Sequence, residues 1–220
     1  MKADPAPLPT IVVLASGTGS NLQALIDASR ERDFPGEIIA VGSNRPKAFA
    51  LERAAQAHIK TFVVDHTQHG SREEFDAHLM AELRRLDPDL IVLAGFMRIL
   101  TEDFVRAFRG KLLNVHPSLL PAYTGLNTHQ RVLDAGDSLH GVSIHFVTEE
   151  LDGGPVIAQA EVPVLADDTP DTLAERVQQQ EHLLYPIVVR WFCEGRIRLG
   201  AQDVLFDGAA LAEPMKLAAN

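Results

Sequence analysis

Two short stretches of this chain hold residue types that move protons and steady charge. Asn114 and His116 stand two apart at the close of the apolar run Lys111–Val115, immediately before Pro117. A spacing of two puts both side chains on one side of a strand. Pro117 ends the ladder, so His116 is not a mid-strand core residue. An amide and an imidazole converging on one point suit acyl-type chemistry. The amide N–H steadies a developing oxyanion, and the imidazole carries a proton near neutral pH. Asp152, in Leu151-Asp152-Gly153-Gly154-Pro155, follows a buried strand and is the candidate carboxylate partner. Near His116 it would favour the protonated ring as a general acid. Asp-Gly is also ordinary turn chemistry, and a histidine at a strand end is as often structural. On the residues alone, both readings stand.

A second stretch, Ser16-Gly17-Thr18-Gly19-Ser20-Asn21, lies between an apolar run and a helical pattern. Two glycines let backbone approach a ligand, and Ser20 or Asn21 is placed to cap the helix. A dinucleotide fingerprint needs a third glycine where Leu22 stands, and no Gly-Lys-Ser/Thr follows at P-loop spacing. The loop therefore reads as a monophosphate cradle built from the N–H groups of Gly19, Ser20 and Asn21. A tight strand-to-helix turn that binds nothing is the competing reading.

The chain has nine histidines and one cysteine. His66 and His69 flank a loop with Asp65 and look like a metal pair, but no third ligand closes the pattern; a solvated loop is expected. His58, His78 and His182 fit helix surface or core roles. His145, on the strand leading to Asp152, is as apt to face the site as not. A Ser-His-Asp hydrolase through Ser118 or Ser143 lacks a G-x-S-x-G elbow. Cys193 reads as core filler.

The elements that must position these residues follow from apolar periodicity. Strands are expected at Thr10–Ala15, Glu37–Val41, Thr61–Val64, Asp89–Ala94 and Lys111–Val115, with a strand pair at Gly141–Val147 and Val156–Val164. Helices are expected at Asn21–Arg30, Lys47–His58 and from Ser71, where Ser71 and Glu74 form a capping box. Further helices run from Thr101 to Phe108, over Thr128–Ala135, and from Thr172 to about Glu194 with a kink at Pro186. Asp89–Ala94 is apolar throughout, as a central parallel strand buried on both faces should be. Alternating strand and helix predicts an α/β fold with a mainly parallel twisted sheet, whose ligands gather at the carboxyl ends of strands. The expected organisation is a flexible segment over 1–9, one domain over 10–200, and a tail or small hairpin over 201–220.

The 220 residues carry a formal net charge of −10. That excludes broad electrostatic binding to nucleic acid but not an anionic small molecule held at a helix start. No apolar run reaches membrane-spanning length and the start lacks a signal-peptide pattern. One cysteine fits a reducing compartment, so a cytoplasmic protein, monomer or homodimer, is expected.

Together, SGTGSNLQALI (16–26), AGFMRIL (94–100), NVHPSLLPAY (114–123), GVSIHFVTEELDGGPVI (141–157) and RVQQQEH (176–182) resemble the phosphoribosylglycinamide formyltransferase family. The similarity runs from about Ile11 to Gly195. The N-x-H-P-S-L-L-P stretch is shared with other formyltetrahydrofolate enzymes, while S-G-x-G-S-N-L-Q and Q-x-x-E-H narrow the resemblance. It implies a Rossmann-like sheet and a metal-free formyl transfer from 10-formyltetrahydrofolate to glycinamide ribonucleotide. Gly19, Ser20 and Asn21 would hold the ribonucleotide phosphate, with Gln178 and Glu181 also touching that substrate. Met97, Arg98, Ile99 and Leu100 would line the folate pocket together with Asn114, and Arg72 would reach the acidic tail. Asn114, His116 and Asp152 would be the catalytic set. Many members carry Lys-Tyr-Pro-Gly-Leu-His where this chain has Ala122-Tyr123-Thr124-Gly125-Leu126-Asn127, a departure within a loop expected to be mobile.

Overall fold

The computed structural model describes residues 7–217. Five strands run parallel: β1 (Thr10–Leu14), β2 (Glu37–Ser43), β3 (Lys60–Val63), β4 (Leu90–Leu93) and β5 (Leu112–His116). Two more, β6 (Leu139–Phe146) and β7 (Val156–Pro163), continue the sheet antiparallel. The helices are α1 (Ser20–Ser29), α2 (Phe49–Gln56), α3 (Arg72–Leu86), α4 (Glu102–Ala107), α5 (Thr128–Ala135) and α6 (Pro170–Cys193). This is the α/β architecture with a mainly parallel sheet that the periodicity predicts.

A small antiparallel sheet joins β8 (Ile197–Leu199), β9 (Val204–Phe206) and β10 (Ala209–Ala210). Beyond it, β11 (Met215–Leu217) pairs in parallel with β7 and becomes the edge of the main sheet. The C-terminal segment therefore does more than form a hairpin, up to Leu217. Residues 1–6 and 218–220 of the expected terminal segments lie outside the described residues.

The main sheet has the order β11-β7-β6-β5-β4-β1-β2-β3. From β1 the chain steps outward to β2 and β3, then returns to lay β4 on the other side of β1. That reversal leaves a crevice at the carboxyl ends of β1 and β4, the ligand position of open α/β sheets. Register sharpens the point: Leu14 pairs with Leu93, and Leu93 with Asn114. The first loop, the 94–100 segment and the Asn114–His116 pair therefore leave neighbouring strands at one height.

Alternation along the strands sends successive side chains to opposite faces. Ile11 and Val13 pack with Leu22, Leu25 and Ile26 of α1 and with Val177, Leu184 and Tyr185 of α6. Val12 and Leu14 pack on the other face with Phe75, Leu79 and Leu83 of α3 and Phe104 of α4. Each such side chain, fully buried, contributes about 1.5–3 kcal/mol. All four residues of β4 are buried, because both faces of that central strand are covered. Tyr185, fully buried, spends its hydroxyl on the Leu93 and Leu113 carbonyls at 3.1 and 3.0 Å. It thereby ties α6 to the strands that carry the site.

Two local expectations change. α1 is capped by neither Ser20 nor Asn21; its N-cap is Gly19 in the left-handed region (φ 72°), with no side-chain cap. Ser71 caps α3 by accepting from the Glu74 N–H at 3.1 Å, but the Glu74 carboxylate reaches back to the Gly70 N–H at 2.8 Å instead of closing the box on Ser71. The reciprocal capping box instead opens α6, between Thr169 and Thr172, and Pro186 lies inside that helix without ending it.

Candidate active site

β5 ends on the two candidate residues, and β6 runs beside it with Asn114 opposite His145 and His116 opposite Ser143. Asp152 sits in the turn between β6 and β7 in the left-handed region (φ 54°), a conformation that Asp tolerates. Gly154 allows that turn to lie close to the strand, since a Cβ there would meet the Phe146 carbonyl oxygen at 1.8 Å. The turn delivers the Asp152 carboxylate, nearly buried, between two imidazoles. Its Oδ2 is 3.4 Å from His116 Nδ1, and its Oδ1 is 3.9 Å from His145 Nε2.

The other nitrogen of His116, Nε2, faces the Tyr123 carbonyl at 2.9 Å. With an acceptor at each nitrogen, only the doubly protonated ring donates in both directions. His145 has different surroundings. Burial pushes its ring down, so it is neutral. Its Nδ1 faces the Phe146 carbonyl at 2.9 Å and its Nε2 faces the Asn114 amide nitrogen at 3.1 Å. Nδ1 must donate to a carbonyl, which leaves Nε2 to accept from Asn114 and fixes which way the amide points. No hydrogen bond thus joins Asn114 to His116 directly. They are linked through His145 and Asp152, and His145 is a member of the cluster.

The loop after β5 lies over this cluster. Besides the Tyr123 carbonyl, it brings the Gly125 N–H to Asp152 Oδ2 at 2.8 Å. Arg131 donates to the Thr124 carbonyl at 2.6 Å, and Ser118 to the Ala122 carbonyl at 2.6 Å. The positions that depart from the family pattern therefore act through backbone here. Asn127 adopts φ 57° ahead of α5, a conformation asparagine accepts readily.

The phosphate candidates also come together. The first turn of α1 has no side-chain cap, so its N–H groups are available to an anion. Gly19 is required there, since a Cβ would meet the Ala50 Cα at 2.8 Å. Asn21 donates to Glu181 at 2.7 Å, and Gln178 to the Ser20 hydroxyl at 3.1 Å. Burial pushes the Glu181 carboxyl up, and the Asn21 bond partly opposes it. Sequence reasoning missed Arg53, which donates to the Thr18 carbonyl at 2.8 Å and to Gln23 at 3.1 Å. It lies on another helix, so no local spacing signals it.

In the 94–100 segment Met97 and Ile99 are 63% and 58% exposed, which is apolar surface at the rim of the crevice. Arg98 lies over the Phe75 ring, 5.4 Å from its centroid. Leu100 packs on the α3–α4 side of the core. Arg72 opens α3 and pairs loosely with Glu73 at 3.7 Å. The His66–His69 loop is exposed at Thr67 and Gln68, as expected, while its two histidines have partners within the protein. His66 Nδ1 meets the Asn44 carbonyl at 2.7 Å, and His69 packs against the His78 and Phe75 rings. Cys193 is a free thiol pushed up to about 12 by burial, inert as a nucleophile.

A proton-carrying imidazole, a carboxylate and an oriented amide stand at one end of the crevice, with an anion-ready helix start nearby. That set defines a group-transfer enzyme acting on small molecules. Residues 10–189 match the formyl transferase family, and the chain belongs to that family, among its phosphoribosylglycinamide formyltransferases. It is 53% identical over 201 residues to phosphoribosylglycinamide formyltransferase of Escherichia coli (strain K12), covering 91% of this chain and 95% of that protein. It is 46% identical over 190 residues to the trifunctional purine biosynthetic protein adenosine-3 of Bos taurus, covering 86% of this chain and 19% of that protein. The solved phosphoribosylglycinamide formyltransferase of Coxiella burnetii, in complex with CHES, superposes with a TM-score of 0.91 at 47% identity. That match covers 96% of this chain and 100% of the other.

Proposed function

We propose that this enzyme transfers the formyl group of 10-formyltetrahydrofolate to the primary amine of 5-phosphoribosylglycinamide, a step of purine biosynthesis. The observation that carries the reading is the Asp152–His116 pair beside Asn114, leaving the sheet at the same height as the α1 start and the segment with exposed Met97 and Ile99. The N–H groups of Gly19, Ser20 and Asn21 hold the phosphate, and Gln178 and Glu181 contact the rest of the ribonucleotide. Met97, Arg98, Ile99 and Leu100 line the folate pocket with Asn114, and Arg72 meets the acidic tail.

The amine nitrogen attacks the formyl carbon and a new C–N bond forms. The carbonyl electrons move to oxygen, where the Asn114 N–H and the protonated His116 steady the oxyanion. The amine then loses a proton, the folate nitrogen gains one, and the bond between that nitrogen and the formyl carbon breaks. His116 relays the proton, and Asp152 holds the ring charged and oriented. Because both reactants are fixed at the carboxyl ends of neighbouring strands, much of the acceleration comes from their placement. No step calls for a metal ion. The same reading places the enzyme in the cytoplasm, as a monomer or homodimer.

The test is formyl transfer followed as consumption of 10-formyltetrahydrofolate with and without the ribonucleotide. Consumption that requires the ribonucleotide and yields formylated product is expected. Equal consumption without it would make the enzyme a hydrolase of the donor.

A further inference from the structure

Ser16 is the last residue before the glycines of the first loop and is 2% exposed. Its hydroxyl accepts from the Met97 backbone N–H at 2.7 Å and donates to the Asn44 side-chain oxygen at 2.6 Å. Its own N–H donates to the Gly95 carbonyl at 3.1 Å. Asn44, at the end of β2, is itself 1% exposed, and its carbonyl is held by His66. One buried side chain thus joins the end of β2, the start of the first loop and the 94–100 segment. Phe96 and Leu100 pack inward and Arg98 lies over Phe75, while Met97 and Ile99 are exposed, so the bond to Ser16 is what fixes the backbone at Met97.

From this geometry we infer that Ser16 is a positioning residue for the formyl donor. The inference rests on the proposed assignment of Met97–Leu100 to the folate pocket. Ser16 sets the height and direction of that segment relative to the phosphate cradle, and Asn44 orients the Ser16 hydroxyl so that its lone pair faces the Met97 N–H. Without the hydroxyl, the Met97 N–H and the Asn44 oxygen are both left buried and unpaired. The segment then moves to find other partners. The donor's formyl carbon loses alignment with an amine that the cradle still holds in place.

The test compares Ser16→Ala, Asn44→Ala and Ser16→Thr with the wild type by steady-state kinetics in each substrate, with thermal unfolding in parallel. Ser16→Ala is expected to raise KM for 10-formyltetrahydrofolate roughly tenfold, the effect of one lost buried hydrogen bond, and KM for the ribonucleotide much less. Asn44→Ala, which leaves Ser16 able to accept from Met97, should raise donor KM by a smaller factor. Ser16→Thr, which restores a hydroxyl, should return donor KM toward the wild-type value. A lowered unfolding temperature with both KM values unchanged in Ser16→Ala would overturn the inference by reducing Ser16 to a purely structural role. Equal rises in both KM values would also overturn it. Arg98→Ala separates the two readings. If it raises donor KM while Ser16→Ala does not, only the role of Ser16 fails. If neither variant changes donor KM, the pocket assignment itself fails, and the inference falls with it.

Discussion

At the scale of single residues, the site turns on two histidines held by different partners. His145 is buried against carbonyl and amide and stays neutral, a fixed acceptor that aims Asn114. His116 stands between the Asp152 carboxylate and the Tyr123 carbonyl. Removing the proton carrier with His116→Ala should lower kcat by roughly 10²–10⁴-fold, the usual worth of a positioned acid–base group. Asp152→Asn should also lower kcat, because the His116 ring loses the carboxylate that orients it. Steady-state turnover of each variant at saturating substrates checks both expectations. Wild-type turnover in His116→Ala would remove His116 from the chemistry.

At the scale of elements, the first loop and α1 depend on backbone more than on side chains. The N-cap is a glycine in a left-handed conformation pressed against Ala50 of α2. Any side chain there costs both torsional strain and a clash. Gly19→Ala should therefore raise KM for the ribonucleotide by about tenfold or more, while KM for the folate donor changes little. Substrate titrations with the partner held saturating measure the split. This loop was legible in the sequence as a tight turn from strand to helix, because two glycines there let the backbone approach its neighbours closely. Which residue caps the helix was not legible. Ser20 and Asn21 are both good caps, but they lie inside the helix and their side chains meet Gln178 and Glu181 of α6 instead.

At the scale of the whole molecule, one buried histidine ties stability to pH. His140 is 1% exposed, and burial, with the positive fields of His129 and His116, pushes it down to about 4 from its ordinary 6.5. Between those values the unfolded chain binds a proton that the fold refuses. Its contribution to stability is therefore complete above 6.5 and is lost as pH falls toward 4. The unfolding temperature should drop across that window, and His140→Gln should flatten the drop. Half-buried His129 and buried His145 shift in the same direction, so some slope should remain. An unchanged slope in His140→Gln would take His140 out of the account.

The nine histidines show where reading the chain alone reaches its end. Local pattern settled the order of strands and helices, since apolar periodicity follows from which face each element must bury. It also singled out Asn114, His116, Asp152 and the glycine loop, whose spacings are chemical signals within a few residues. Only the tertiary structure decided that Asp152 lies between His116 and His145, that Glu181 meets Asn21, and that Ser16 holds Met97. These partners sit far apart along the chain and meet because β4 crosses to the far side of β1 and β6 runs back beside β5. Contact between distant segments is set by the order in which strands pair, and that order is fixed by packing the whole core at once, beyond what any short window of residues encodes.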